Sequence, residues 1–408
     1  MASNILRKCL FYILLFCYWY SLDFSLTPLT TKMVMGLCGI IAFVTRPRQF
    51  FPKKLIVWFV MIIALNIWSV FVKLANGTSE FLYIKNIISF VMNFFAVYLV
   101  YYVGSRFLHN TNTLLKSVVK VVTIQMVITI ILYFIPSLKE FAYSIQNIGE
   151  LANNDYFTTS RMIGLGSAIY FGVLPTSTFA SLLCIYLYFN SDSNKKQIKH
   201  LIAAIFIIGI SFFIARTSVF ILFATLLLYM YLSWKRKYIK SVIYISLIAV
   251  LSPFIFVSII NFFDSSMQEW VMQIFSLDKT DDSTSYGTLY SWLTETHFST
   301  KTLLIGDGKY DNYYGGIDIG YIRHIYYGGI IDLVLFLVTQ YIIISSLYKQ
   351  IKNIEYKRTI QCIIILYFII FIKGDASFTN EALLIYVVTY YIGKNNLLKQ
   401  LSSTNVKS

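Results

Sequence analysis

The sequence predicts an all-α polytopic integral membrane protein with cytoplasmic N- and C-termini and a large extracytoplasmic loop between its late helices. Three observations lead there. The 408 residues are 57% hydrophobic and only 13% charged, with a mean hydropathy of +0.67, whereas a soluble domain carries about 25% charged residues. Apolar runs of about 20 residues, the length of a bilayer-crossing helix, recur from end to end. Lys and Arg gather in alternate connections, the bias of cytoplasmic loops.

Taken in order, the apolar segments cover 5–22, 29–45, 55–72, 83–103, 114–135, 166–189, 200–214, 219–234, 241–262, 324–347, 359–373 and 383–398. That makes about twelve transmembrane helices, or about eleven if one of the short segments does not cross. Tilted neighbours accommodate segments as short as 200–214 and 359–373. With the N-terminus inside, the cytoplasmic connections hold about 23 of the 34 Lys and Arg, but only Asp192 and Glu355 among the acids. The opposite orientation would invert that asymmetry. The extracytoplasmic connections are then 23–32, 73–82, 136–165, 215–218, 263–323 and 374–382. Residues 1–408 read as one transmembrane domain, with 136–165 and 263–323 long enough to fold over the membrane surface. Arg7 and Lys8 before the first apolar run resemble a signal peptide. No small-residue cleavage pattern follows, so that run reads as an uncleaved span.

The formal net charge of +15 raises the question of nucleic acid. No basic patch interleaved with aromatics lies on a soluble segment, so no nucleic-acid partner is expected and the charge reads as cytoplasmic bias. Cys9, Cys17, Cys38, Cys184 and Cys362 all fall in apolar segments without a Cys-x-x-Cys pair. Neither a disulfide framework nor a zinc site is indicated, and no metal or cofactor is expected. Gly306-Asp307-Gly308 and Gly315-Gly316 lack the Gly-Lys-Ser/Thr and the strand–helix context of a phosphate-binding loop, and read as tight turns.

The one long polar interval, Phe263 to Asp332, carries roughly half of the acidic residues. Trp270, Tyr286, Tyr290, Trp292, Tyr310, Tyr313 and Tyr314 make it too aromatic for a disordered segment. Thr284 to His297 places Leu289, Trp292 and Leu293 on one face, the pattern of a short surface helix. Arg161 precedes the sixth span, Arg216 occupies the turn Ala215-Arg216-Thr217-Ser218, Arg323 precedes the tenth span and Lys373 ends the eleventh. An arginine at the hydrocarbon edge must be paired or face water, and its planar fork suits phosphate oxygens. Snorkelling to headgroups is the alternative for each. Acid–base candidates on the same side are Asp155, Asp307, Asp311, Asp318, His297, His324 and Asp375, against the plainer reading of a solvated loop. Asp318 stands out because it precedes Arg323 and His324 where the loop re-enters the membrane. Asp332 lies inside the tenth span, where a carboxylate is either functional or paired with a basic residue of another helix.

These features resemble the Wzy-type O-antigen and capsule repeat-unit polymerases of the O-antigen polymerase/ligase group. Three places carry the likeness. Arg161 is followed after ten residues by Gly172, similar to the Arg-x10-Gly signature of that family. Ile214-Ala-Arg216-Thr-Ser resembles its Ser-Arg-Thr turn. Ile305-Gly-Asp-Gly, Asp318-Ile-Gly320-Tyr-Ile and Tyr327-Gly-Gly-Ile-Ile resemble the close of its late loop. Departures exist: no arginine precedes the Trp292 helix around Tyr286, and no second Arg-x10-Gly starts at Arg216 or Arg323.

The resemblance implies an enzyme of the bacterial cytoplasmic membrane that joins undecaprenyl-diphosphate-linked oligosaccharide repeat units at its outer face. On that reading Arg161, Arg216 and Arg323 hold the donor diphosphate. Asp318 or His324 takes the proton of the acceptor hydroxyl, and Trp292, Tyr313 and Tyr314 stack on sugar rings. Gly172 and Gly320 are the motif glycines. The expected partners are lipid-linked oligosaccharides, membrane lipids, and a chain-length regulator and flippase of the same pathway. Two alternatives are an O-antigen-ligase-like glycan transferase and a flippase or transporter of lipid-linked sugars. A transporter favours charged or broken helices at mid-membrane, and here mid-span charge is nearly confined to Asp332.

Overall fold

A computed structural model describes residues 2–25, 29–45, 51–79, 82–146, 161–166, 172–236, 258, 260–273, 290–291, 294, 296–310, 319–374 and 379–405. Among the described residues the fold is helical, without a β-strand; one isolated bridge pairs Phe24 with Gln146. Five described helices are long and apolar enough to cross a membrane, and three shorter apolar ones accompany them. The chain is thus an all-α, multi-pass membrane protein.

The elements are α1 (Ala2–Tyr20), α2 (Thr31–Val44), α3 (Lys53–Asn76), α4 (Leu82–Gly104), α5 (Thr111–Phe134), α6 (Pro136–Ile145), α7 (Val173–Phe189), α8 (Asn194–Ile214), α9 (Val219–Lys235), α10 (Ser265–Met272), α11 (Thr300–Leu304), α12 (Gly320–Gln350), α13 (Ile354–Lys373) and α14 (Thr379–Asn405). Every expected segment coincides with one of these helices except 241–262, which lies almost wholly outside the described residues. Several edges differ from expectation. Of the segment expected over 166–189, α7 covers Val173–Phe189, and residues 167–171 lie outside the described residues. Residues 161–163 run beside the end of α8, where Met162 N–H donates to the Phe213 carbonyl at 2.9 Å. The loop expected over 136–165 opens with α6, begun by Pro136, whose missing N–H is no loss at a first helical turn. The surface helix expected over 284–297 falls largely outside the described residues.

Local sequence explains the helix starts. Thr30, Asn110, Ser299 and Asn353 each accept from a backbone N–H in the first turn of the helix that follows, satisfying donors a helix cannot satisfy itself. α7 is buried on nearly every side, from Val173 to Phe189, and α14 is buried from Ala382 to Val388. Both are enclosed by other helices. α3 is one-sided: Leu55, Trp58, Ile62 and Leu65 are buried, while Ile56, Ile63, Ile67 and Leu74 are each more than half exposed. That face suits lipid, since bilayer tails are as apolar as the core. α2 crosses α4 closely. A Cβ added at Gly39 would lie 2.0 Å from the Phe95 carbonyl oxygen, so only glycine permits this approach.

Hydrogen bonds sort the helix ends into two groups. At one end Arg7 donates to the Val103 and Tyr102 carbonyls at 2.8 and 3.0 Å, neutralising the last turn of α4. There too Arg236 pairs with Glu355 at 2.6 Å and donates to the Phe189 carbonyl, and Asn190 donates to Glu355 at 3.1 Å. At the other end Tyr18 donates to the Asn380 carbonyl at 2.8 Å and Asn76 to that of Gly306 at 3.2 Å. The second end carries the described residues 21–25, 29–32, 76–79, 299–310 and 319–324.

Candidate functional site

The site is built around an interruption of α12. Gly328 (φ −135, ψ 19) and Gly329 (φ 71, ψ −169) leave the helical conformation and divide it. Glycine is required at 329, where φ is positive and a Cβ would lie 2.4 Å from the Leu304 carbonyl oxygen. A break leaves helical carbonyls without their usual donors. Here the turn Gly306-Asp307-Gly308 supplies replacements: Asp307 N–H donates to the Tyr326 carbonyl at 2.6 Å and Gly308 N–H to that of Tyr327 at 2.9 Å. Trp68 of α3 donates its indole N–H to the Gly328 carbonyl at 2.8 Å. The glycine-rich turn is therefore a plug for a broken helix. Asp307 also accepts from the Thr302 hydroxyl at 3.2 Å, so it is engaged in building the loop.

Beside the break sits a buried polar cluster. His324 and Asp332, eight positions apart on either side of the break, meet with Nδ1 and Oδ2 separated by 2.8 Å and both side chains fully buried. The Tyr83 hydroxyl of α4 donates to the same Oδ2 at 2.9 Å and lies 3.2 Å from Nδ1. One carboxylate oxygen thus joins a phenol and an imidazole. Among the described residues no basic side chain of another helix, the alternative partner expected for Asp332, pairs with it. Phe336 stacks on the His324 ring at 4.1 Å between centroids.

Tyr83 and Phe336 form part of the wall of a polar cavity of about 390 Å³, which also exposes Asp23, Lys32, Lys85, Asn93 and Tyr310. The Tyr310 ring lies 4.6 Å from that of Tyr83. The fully buried imidazole of His324 thus lies behind Tyr83.

The structure brings together some of the residues singled out from sequence. Arg323 stacks its guanidinium 4.4 Å above the Tyr310 ring and donates to the Tyr310 carbonyl at 3.1 Å, which puts it at the cavity edge. Gly320 is buried where α12 begins against the end of α13; a Cβ there would lie 2.5 Å from Phe371. Arg161 lies 4.7 Å above the Trp270 ring of α10, a favourable cation–π placement. Its neighbour Met162 pairs with Phe213, which brings the Arg161 backbone beside the turn Arg216–Ser218. Gly172 precedes α7 with φ −61, a conformation open to any residue. The Arg216 side chain, Asp318, Trp292, Tyr313 and Tyr314 lie outside the described residues, as do Asp155, Asp311 and Asp375.

Sequence reasoning missed Tyr83, Lys32, Lys85 and Asn93. A signal existed for the lysines: both stand at the end of an apolar segment on the expected outer side, against the cytoplasmic bias. No family model, no curated protein and no solved structure matches this chain.

Proposed function

We propose that this protein is a membrane glycosyltransferase that polymerises oligosaccharide repeat units carried on undecaprenyl diphosphate, working at the outer face of the bacterial cytoplasmic membrane. The observation that supports it best is the polar cavity backed by the Tyr83–His324–Asp332 cluster, at the end of the bundle that gathers the expected outer loops. The twelve-span topology with cytoplasmic termini belongs to the same proposal.

In this reading the acceptor hydroxyl forms a bond to the anomeric carbon while the bond from that carbon to the diphosphate breaks. The lipid diphosphate leaves with the electron pair, stabilised by Arg161, Arg216 and Arg323. The hydroxyl proton passes to Tyr83 Oη as the Tyr83 proton moves to Asp332 Oδ2. Because His324 is buried behind Tyr83, its share in proton transfer runs through that hydroxyl. Asp318 stays a candidate base.

The test is purified protein supplied with a lipid-diphosphate-linked repeat unit. A ladder of products supports the proposal, and an unextended substrate sinks it. In cells, Arg216→Ala is expected to abolish long chains while the protein still reaches the membrane, and Asp318→Ala does so if Asp318 rather than the Tyr83–Asp332 pair takes the proton. Near-normal chains in both would remove them from the site.

The interruption of α12 favours one second reading, a transporter of lipid-linked sugars, since broken helices line transport sites. In a transporter the interruption belongs at mid-membrane, whereas Gly328 and Gly329 fall near the outer edge of the expected span 324–347. Movement of substrate across a proteoliposome membrane without any product ladder would favour the transporter.

A further inference from the structure

The cavity's own lining suggests what it holds. Its walls carry two ammonium groups, Lys32 and Lys85, and one carboxylate, Asp23. Lys85 is exposed at the start of α4 and Lys32 is half-buried at the start of α2, with its Nζ 5.1 Å from the Tyr18 ring centroid. Glu381, next in sequence to the wall residue Asn380, is 5% exposed and lies outside the cavity wall. Asn93, at 3% exposure, donates its amide to Asn380 Oδ1 at 2.6 Å and fixes its own orientation by doing so. The Asn93 Oδ1 that results is buried and has no hydrogen-bond partner among the described groups. A buried acceptor left unmatched is costly, and Asn93 lines the cavity. Tyr83, Tyr310, Phe90 and Phe336 supply flat apolar walls.

Such a lining matches a ligand with three properties: anionic oxygens for Lys32 and Lys85, a hydroxyl for Asn93 Oδ1 and Asp23, and a ring face for the aromatics. We infer that the cavity binds a sugar phosphate, with the phosphate held by Lys32 and Lys85 and a sugar hydroxyl donating to Asn93 Oδ1. The inference deepens the glycosyl-transfer proposal and rests on it for the sugar. It assigns phosphate binding to two lysines in addition to the arginines named from sequence.

The experiment is equilibrium binding to the purified full-length protein in nanodiscs. The ligands are the 1-phosphates of glucose, galactose and N-acetylglucosamine, the three free sugars, inorganic phosphate, and polyprenyl-diphosphate-linked N-acetylglucosamine. At least one phosphorylated ligand is expected to bind ten-fold or more tightly than its free sugar. Lys85→Gln, an exposed change that leaves the fold intact, should erase that preference, and Asn93→Ala should weaken phosphorylated and free sugars alike. Binding confined to the lipid-linked ligand identifies a membrane source; binding of the soluble 1-phosphates as well shows that the lipid is not required. Equal affinity for charged and neutral sugars, no binding of any ligand, or a Lys85→Gln variant that binds like the wild type would overturn the inference. Lys85-dependent binding without a product ladder keeps the site and removes the transfer proposal. A full ladder from Lys85→Gln keeps the transfer proposal and removes the site.

Discussion

The Tyr83 hydroxyl on α4 donates to Oδ2 of Asp332 on α12 across 2.9 Å, although the two are 249 positions apart in sequence. That bond ties the wall of the cavity to the buried side of a broken helix. It also leaves Asp332 Oδ1 buried without a hydrogen-bond partner among the described groups. Tyr83→Phe removes the proton-bearing oxygen with its hydrogen bond to Asp332 and keeps the ring. Product formation should fall by about 10²- to 10⁴-fold, with normal insertion and with substrate affinity nearly unchanged. Asp332→Asn should fall as far. A Tyr83→Phe enzyme that elongates at the wild-type rate would exclude the cluster from proton transfer.

The plug on α12 gives a stability prediction. Gly329→Ala forces a side chain into left-handed backbone and against the Leu304 carbonyl oxygen at 2.4 Å. It should destabilise the protein by about 1–3 kcal/mol. Gly209→Ala is the control, because its Cβ meets nothing within 4 Å; it should be neutral or stabilising by about 0.5–1 kcal/mol. Thermal unfolding in detergent compares the two, and equal Tm values would show that the break is not held by its geometry.

At the opposite end, the Arg236 guanidinium beside Glu355 holds that carboxyl below its ordinary value of 4.5, and the Asn190 amide adds to this against the opposing effect of burial. A carboxyl depressed in the folded state stabilises the fold above its unfolded pKa and loses that contribution as pH falls through the lower, folded value. Glu355→Gln should therefore cost about 1–2 kcal/mol at pH 7, with the difference from wild type shrinking below about pH 4.5. A difference independent of pH would contradict the charge-based account.

Arg323 can be separated from a plain positive charge. Arg323→Lys keeps the charge but loses the planar face that lies 4.4 Å above Tyr310. A cation–π contact contributes about 0.5–2 kcal/mol, so elongation by Arg323→Lys should drop about 2- to 30-fold. Tyr310→Leu should reproduce much of that loss. Full activity in Arg323→Lys would mean that only the charge matters.

Much of the candidate site was legible where its residues are neighbours in sequence. Arg323, His324 and Gly320 stand within five residues at the loop re-entry, and an ionisable run entering an apolar segment is visible by inspection. Asp332 was visible for the same reason. Its partner was not, because nothing in the periodicity of 83–103 says that its first turn packs beside 324–332. The role of Gly306-Asp307-Gly308 was half legible. The turn could be read, but not that its amides serve the carbonyls of Tyr326 and Tyr327.

The sequence by itself determined the class of this protein. Hydrophobic runs of bilayer length and sparse charge leave helices as the way to satisfy backbone hydrogen bonds in lipid. Only the tertiary structure decided which polar residues meet. It broke α12 at Gly328 and Gly329, turned Tyr83 onto Asp332, and set Lys32, Lys85 and Asn93 around one cavity. The reason is physical. Helix formation is written in local periodicity, whereas the choice of neighbouring helix depends on close packing between segments hundreds of residues apart, as where Gly39 lets α2 lie against α4.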